Sequence, residues 1–267
     1  MRKGTTEMSI RNVVKVMNFH ALIRVDNAKR RADKYKMMED RLMFMMDNIL
    51  NNRNLILDKK ILAVPENAPA INIYIGSDLG FCSNYNSQMV ERLHHDDDSS
   101  RKIIIGRKLT GRLTEGADIQ VTTAELPHEM PKIREYLERK IQNKECSSIN
   151  IFYNHYENTT TIYSKKLQVY PLKRREQENK AYYADFAIEG DATELLLKMT
   201  SSYVYYELLL AIVNSRAAEN VMRQNATTES LKKIDEIEEE KVMEARREVR
   251  NKEFQKVVDN FVKQKMY

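Results

Sequence analysis

The chain has 267 residues, of which 42% are hydrophobic and 31% charged, and its formal net charge at pH 7 is +5. This length allows one large or two small domains with a sizeable core. The sequence contains no run of 18 apolar residues, so it predicts no membrane span. The two cysteines, Cys82 and Cys146, predict neither a disulfide framework nor a zinc site. The first residues lack the apolar core of a signal peptide, which predicts a cytoplasmic protein.

Positive charge is concentrated in the first quarter of the chain. Residues 2–64 carry 14 lysines and arginines against seven aspartates and glutamates. These cations are interleaved with acidic residues, and few aromatic side chains lie among them, unlike a nucleic-acid-binding surface. The sequence therefore predicts a solvated helix or a surface for an acidic protein partner, and no nucleic-acid partner.

The first predicted element is a long helix, because residues 5–64 contain neither glycine nor proline. Apolar residues recur there in steps of three and four, which average the 3.5-residue period of a coiled coil. The seam consists of Val14, Met17, Ala21, Val25, Ala28, Ala32, Tyr35, Met38, Leu42, Met45 and Ile49.

A strand and a glycine turn follow. The residues INIYI, 71–75, alternate with the period of a strand, GSDLG follows at 76–80, and Asn86 begins a possible helix. Strand, turn and helix in this order are typical of phosphate sites, but GSDLG matches neither GxGxxG nor GxxxxGK[ST]. Asp78 would also repel a phosphate. We therefore predict a structural turn in which Asp78 caps nearby backbone amides.

The middle of the chain predicts four more strands and another helix. Residues 101–108, 117–124, 147–157 and 159–172 are rich in isoleucine, valine, threonine and tyrosine. Residues 131–145 predict a helix with Pro131 in its first turn and an apolar stripe that includes Ile133 and Ile141. Alternating strands and helices predict a small, mostly parallel, Rossmann-like α/β domain over residues 65–190.

Residues 191–267 also lack glycine and proline and predict a second long helix. A helix of 70 residues would extend on the order of 100 Å. The predicted fold is therefore an α/β insert between two terminal helices, residues 1–64 and 191–267, that pair as an antiparallel coiled-coil shaft. The second seam consists of Tyr206, Leu210, Val213, Ala217, Val221, Leu231, Ile234, Ile237, Val249, Val257 and Phe261.

The chain offers few groups for catalysis. The run HHDDD at 94–98 could hold a metal, but five consecutive side chains diverge, so a solvated loop is predicted. The acidic run DEIEEE at 235–240 predicts a solvated helix face. No nucleophilic triad can be assembled, so the sequence predicts no catalytic residue, no metal, no cofactor and no enzymatic activity of its own.

Two motifs carry a family resemblance: SDLGFCSNYN after the first strand and NSRAAENVMRQNAT in the second helix. These motifs resemble the patterns SDRGLCGG and SEHAARMVAMDNAT in the gamma subunit of F-type ATP synthases. The predicted α/β insert between two long helices also resembles that family. Leu79 replaces an arginine, and Arg223 replaces a methionine. The matching residues that we take as family-motif positions are Ser77, Asp78, Gly80, Cys82, Asn86, Asn225, Ala226 and Thr227.

Two shorter segments extend the resemblance to the whole chain. NAKRRA, residues 27–32, faces the family's SKLRRA, and EARREVRNKEFQKVV near the C-terminus resembles KARQASITQELTEIV after a one-residue insertion. The resemblance implies that Arg246 and Arg247 contact an acidic loop of the beta subunit, and Glu253 is a further implied contact residue.

The resemblance implies a central rotor shaft that couples rotation driven by an ion gradient to nucleotide-affinity changes in catalytic beta subunits. The implied partners are the alpha and beta subunits of the catalytic hexamer, the epsilon subunit and the membrane c-subunit ring. Membrane contact would then occur only through the complex, on the cytoplasmic side of a bacterial plasma membrane.

Three other functions fit the sequence. The departures from the family motifs favour a related F-like ATPase that is not used for ATP synthesis. A non-rotary coiled-coil adaptor would have the same elements without a hexameric ring. The third is a nucleotide-using enzyme built on the α/β insert. A titration with ATP and NAD would test it, and we expect no binding.

Overall fold

The computed structural model describes residues 2–51, 64–65, 67–82, 84–96, 99–109, 114–172 and 188–265. The α/β insert between two long helices is confirmed, and residues 52–63 of the first predicted helix lie outside the described residues. The elements in chain order are α1 (Arg2–Asn51), β1 (Ile71–Ile75), α2 (Ser87–His94), β2 (Arg101–Ile105), β3 (Ile119–Val121), α3 (Leu126–Gln142), β4 (Ile149–Tyr156), β5 (Ile162–Tyr170) and α4 (Ala192–Lys265).

The chain forms two compact units. The larger one comprises Ala21–Arg223, and the smaller one joins the residues up to His20 with those from Gln224 onward. The larger unit contains a five-stranded sheet with the order β3-β2-β1-β4-β5. β1 pairs in parallel with β2 and β4, β2 pairs in parallel with β3, and β4 and β5 form an antiparallel hairpin. The predicted mostly parallel sheet is therefore confirmed.

The central strand β1 is buried along its whole length because helices cover both faces of the sheet. On one face, Ile73 belongs to a core that also contains Met46 of α1, Ile133 of α3 and residues of α4. On the other face, Tyr74 stacks on Phe152 with ring centroids 4.6 Å apart and packs with residues of α2. The sheet is thus the middle layer of three.

The buried face of α1 departs from the predicted seam in its second half. The first part of the seam is buried or half-buried as predicted. Met38 and Met45 are exposed, however, whereas Glu39, Met43 and Met46 are buried in their place. These residues follow the 3.6-residue period of a straight helix, because this part of α1 packs on the core of the sheet domain.

The helix α3 begins earlier than predicted. Pro131 lies inside the helix, and Pro127 occupies its first turn. The start is set by a reciprocal pair in the preceding turn: the Thr122 N–H donates to Glu125 Oε2 (3.1 Å), and the Glu125 N–H donates to Thr122 Oγ1 (3.3 Å). This arrangement is a capping box, which the sequence analysis had not identified.

Polar contacts join α1 and α4 in the smaller unit. Arg11 Nη2 lies 2.6 Å from Asp235 Oδ1, and Arg11 Nη1 lies 3.1 Å from Glu238 Oε2. Two turns later, Asn18 Nδ2 donates to Thr227 Oγ1 (3.0 Å). A residue further along α1 thus contacts a residue earlier in α4. This confirms the predicted antiparallel pairing.

One part of α4 is strongly apolar. An 18-residue stretch within Ala192–Val262 has a mean hydropathy of 1.2, sufficient by length and composition for a membrane span. In the structure, 61% of that stretch is buried. Its apolar residues, such as Val204 and Leu208, lie in the core against the sheet, and this burial accounts for the composition.

Candidate functional site

The loop after β1 is closed by a reciprocal pair of hydrogen bonds. The fully buried Ser77 donates its backbone N–H to Asn86 Oδ1 (3.0 Å), and Asn86 Nδ2 donates to Ser77 Oγ (2.9 Å). Asn86 stands at the start of α2. Two of the predicted family-motif residues thus connect the end of β1 to the next helix.

The Asp78 carboxylate joins the loops that follow three parallel strands. Its Oδ1 accepts from the backbone N–H of Arg107 (2.6 Å), and its Oδ2 accepts from the backbone N–H (2.8 Å) and the hydroxyl of Thr123. The predicted capping of backbone amides by Asp78 is confirmed. Burial alone would raise the pKa of Asp78, but the bonds from Thr123 and Arg107 outweigh it and hold the pKa below its ordinary value.

We expect Asp78→Ala to lower the free energy of unfolding by about 1–3 kcal/mol, because two backbone donors lose their acceptor. The pKa of the Asp78 carboxyl is lower in the folded chain than in the unfolded chain, where it is about 3.9. The stabilisation by the carboxylate is therefore fully present above the unfolded-state pKa. It is lost as the pH falls through the folded-state pKa. Urea denaturation of the wild type and of Asp78→Ala between pH 7 and pH 3 measures the stability difference. The stability difference should shrink toward low pH, and a constant difference would contradict it.

Glycine is required at one end of the GSDLG turn only. A Cβ at Gly76 would lie 2.5 Å from Leu109 Cγ, so a side chain cannot be accommodated there. At Gly80 no described atom lies within 4 Å of a Cβ. The left-handed backbone conformation falls on Phe81, whose φ is 59°. Gly76 is thus required for space and not for its backbone conformation, and the predicted role of the two glycines in reversing the chain is wrong for both, since neither has a positive φ.

A buried arginine of α4 binds the other end of the loop. Arg223 donates from Nε and Nη2 to the carbonyl oxygen of Gly80 (3.3 and 3.2 Å) and lies 3.6 Å from Cys82 Sγ. One turn earlier on α4, Glu219 Oε1 lies 3.4 Å from Arg223 Nη2. Burial raises the pKa of Glu219 despite Arg223, and burial also raises the pKa of the Cys82 thiol.

A tyrosine makes a second connection between loop and helix. The buried Tyr85 hydroxyl donates to the carbonyl oxygen of Ser215 (2.7 Å) and lies 2.5 Å from its Oγ. Asn154 Nδ2 of β4 donates to the Tyr85 carbonyl oxygen (2.8 Å). The loop after β1 is thus fastened both to the sheet and to α4.

The three predicted residues of the second motif differ in their surroundings. Thr227 is buried and accepts the bond from Asn18, Ala226 is half-buried, and Asn225 is exposed. The Thr227 hydroxyl also donates to the carbonyl oxygen of Gln224 (3.0 Å). Of these three described residues, Thr227 is the one with a side-chain hydrogen bond to α1.

The predicted contact residues for a beta subunit lie far along α4. Arg246, Arg247 and Glu253 are exposed, as is every residue from 241 to 262. Apolar side chains in this segment are exposed as well, with Phe254 at 71% and Val257 at 64%. The structure thus places these three residues on a bare stretch of helix, and their contacts with a partner stay a prediction.

Sequence reasoning missed Arg223, Tyr85 and Ser215 as members of the loop attachment. Arg223 appeared only as a departure from a motif. Arg223 and Ser215 meet the loop across more than 125 residues of chain, and no local pattern marks such a contact. The arrangement is mechanical: among the described residues, no three histidine, cysteine or acidic side chains could hold a metal ion.

Comparison with known proteins adds relatives and a structural neighbour. The ATP synthase gamma chain of Mycoplasma mobile is 25% identical over 240 residues, covering 85% of this chain and 83% of that protein. The gamma chain of Rickettsia bellii is 24% identical over 181 residues, and the match spans 63% of this chain and 62% of that relative's length.

The fold is also found in a solved structure. A chain of the central stalk and c-ring structure of the Tetrahymena thermophila mitochondrial ATP synthase aligns with a TM-score of 0.55 at 17% identity. The alignment covers 82% of this chain and 99% of that one. The family model described as ATP synthase matches residues 2–252. Because that match covers nearly the whole sequence, this chain belongs to the ATP synthase gamma-chain family.

Proposed function

We propose that the chain is the central rotor shaft of an F-type ATP synthase or ATPase. In this function, rotation of the long helices inside a ring of alpha and beta subunits changes the nucleotide affinity of each catalytic beta subunit in turn. The chain itself is non-catalytic. Its membership of the gamma-chain family and the geometry of its helices support this function.

The observation that carries the proposal is the exposed segment 241–262 of α4. Burying a large apolar side chain stabilises a protein by about 1.5–3 kcal/mol, yet Val249 and Phe254 are 57% and 71% exposed. A helix with both apolar and charged exposed residues needs a surrounding partner, because tertiary packing supplies most helical stability. A ring of subunits around this segment would provide it.

The loop attachment supports the mechanical side of the proposal. Arg223 and Tyr85 fasten the sheet domain to α4 through buried polar contacts. Because close-packed interiors transmit strain, a torque applied to the sheet domain would pass to the helix without deformation of the loop. The proposed contacts of the sheet domain are the epsilon subunit and the membrane c-subunit ring.

We further propose that the protein is peripheral to the membrane, on the cytoplasmic side of a bacterial plasma membrane, and touches lipid only through the complex. Co-expression with candidate alpha and beta subunits tests the function. A ring-sized assembly whose ATPase depends on this chain is expected. A chain that never associates with the ring would indicate the coiled-coil adaptor instead, and ATP synthesis driven by an ion gradient separates a synthase from a dedicated ATPase.

Replacing Arg246 and Arg247 together by alanine is expected to lower the ATPase activity of the assembled complex. Guanidinium groups pair with carboxylates through two parallel hydrogen bonds, so both residues suit an acidic loop of the beta subunit. Helicity and assembly should stay nearly intact, because exposed charges contribute only about 0–1 kcal/mol to stability.

The matched control for this variant is Arg250→Ala with Lys252→Ala. It removes the same charge from the same exposed segment, so it reports any general effect of lost positive charge. ATPase rates are compared in complexes shown to contain each variant. An equal decrease in both double variants, or no decrease in either, would remove Arg246 and Arg247 from the coupling mechanism.

A further inference from the structure

A cavity of about 440 Å³ lies at the carboxyl end of the parallel strands in the larger unit. Residues that follow β1 and β3, among them Asp78 and Thr123, line it together with residues of α1 and α4. The sheet order places β2 and β3 on one side of β1 and β4 on the other. In open α/β sheets, ligands bind at the carboxyl ends of the strands.

Three arginines line this cavity: Arg24 and Arg31 of α1 and Arg216 of α4. Arg24 and Arg31 are seven residues apart, so they lie on the same side of α1. Arg216 donates one hydrogen bond, to the carbonyl oxygen of Thr123 (3.2 Å). Within the described parts of the chain, no carboxylate lies within 4.0 Å of these three guanidinium groups.

The three arginines therefore have no ion-pair partner among the described residues. Burial, and then the nearby charge of Arg31, lower the pKa of Arg216. The charges of Glu219 and Asp78 oppose the effect of Arg31 on Arg216, and the lining as a whole, with three arginines and two carboxylates, has a formal charge of +1. Such a concave surface with low-dielectric walls concentrates field lines and attracts anions.

Two carboxylates also line the cavity, but other partners engage them. Asp78 accepts hydrogen bonds from Arg107 and Thr123, and Glu219 pairs with Arg223. Burial raises the pKa of Glu219, which favours its neutral form. The hydrogen-bond and ion-pair partners of both carboxylates thus lie outside the group of three arginines, although both charges still act on Arg216.

We propose that this cavity binds a phosphate group, either inorganic phosphate or the phosphate of a nucleotide. Planar guanidinium donors match the oxygens of a phosphate in pairs. The volume lies within the roughly 300–1,000 Å³ of small-molecule sites. Recognition rests on arginine side chains and not on a glycine loop, so it does not require the phosphate-loop motif that GSDLG lacks. Binding of a nucleotide here would overturn the expectation from the sequence that the chain binds no ATP and that Asp78 repels a phosphate. This site goes beyond the proposed shaft function and does not depend on it.

Titration calorimetry of the full-length chain with inorganic phosphate and with ADP, supported by ³¹P NMR, tests the proposal. Arg24→Gln and Arg31→Gln are each expected to weaken binding about tenfold, since each removes a charge-assisted hydrogen bond. Both residues are exposed on α1, so the variants should fold normally, which circular dichroism checks. The matched control is Arg30→Gln, because Arg30 neighbours Arg31 on α1 but pairs with Asp26.

The outcomes separate the sources of the phosphate. Arginine-dependent binding of inorganic phosphate that is as tight as that of ADP assigns free phosphate, and tighter arginine-dependent binding of ADP assigns a nucleotide. The proposal is overturned if neither ligand binds at millimolar concentration, or if Arg30→Gln weakens binding as much as Arg31→Gln. It is also overturned if Arg24→Gln and Arg31→Gln bind the ligands as the wild type does but no longer associate with alpha and beta subunits. The cavity would then hold an acidic protein segment.

Discussion

Replacing Arg223 by methionine is expected to lower the free energy of unfolding by about 3–5 kcal/mol. The Arg223 and Glu219 side chains are only 7% and 8% exposed. Methionine would leave the buried Glu219 carboxylate without its ion-pair partner and would remove both donors from the Gly80 carbonyl oxygen. Urea denaturation of the full-length chain at pH 7, followed by circular dichroism, measures the loss.

A double variant tests whether the buried charge is the cause. Adding Glu219→Leu to Arg223→Met should recover most of the loss, because it removes both charges together. Burial already raises the pKa of Glu219. A raised folded-state pKa means that protonation stabilises the folded state as the pH falls, so the cost of Arg223→Met should decrease toward pH 4. Equal losses in the single and double variants at both pH values would contradict the explanation.

Ala28→Pro is expected to destabilise the chain by about 3 kcal/mol or more. Ala28 is 7% exposed and packs against Val213 and Ala217 of α4. A proline there removes the hydrogen bond to the preceding turn of α1, and its ring clashes with that turn. Helicity measured by circular dichroism should fall, and the ATPase of the co-expressed complex should fall with it.

The control for this substitution is Ala192→Pro. Ala192 is the first residue of α4, where proline is tolerated because the first N–H of a helix has no partner within it. We expect a change of less than about 0.5 kcal/mol for this variant. Normal helicity and normal assembly of Ala28→Pro would mean that residue 28 lies outside a continuous helix.

The elements could be predicted from the sequence because their signals are local. Two stretches without glycine or proline predicted α1 and α4, and β-branched segments predicted β2 to β5, all of which the structure contains. The exposure of Met38 and Met45 could not be predicted in this way. The 3.5-residue pattern continues along the sequence of α1. In the structure, however, α1 packs first on a helix and then on the sheet domain. The position at which its partner changes is determined by the folded chain and not by the local sequence.

The candidate site was less predictable than the fold. Asp78 was identified because a carboxylate in a turn caps nearby amides, and it does so for Arg107 and Thr123. Arg223 was noted only as a replacement for methionine. Its contact with Gly80 joins residues 143 positions apart, and local sequence patterns do not reveal such a contact. Which helix turn faces which loop depends on the packing of both long helices, which a single sequence does not specify.

The ion pair between Arg11 and Glu238 also sets an order of events during synthesis, since 227 residues of chain separate the two. At 5–20 residues per second, the ribosome needs roughly 10 to 45 s after Arg11 to produce its partner. For that time the seam residues Val14, Met17 and Ala21, which are half-buried or buried in the folded chain, have no second helix beside them. Unpaired apolar segments of nascent chains aggregate or bind chaperones, so the amount of assembled protein in a cell depends on how well this early segment is shielded until translation reaches residue 238.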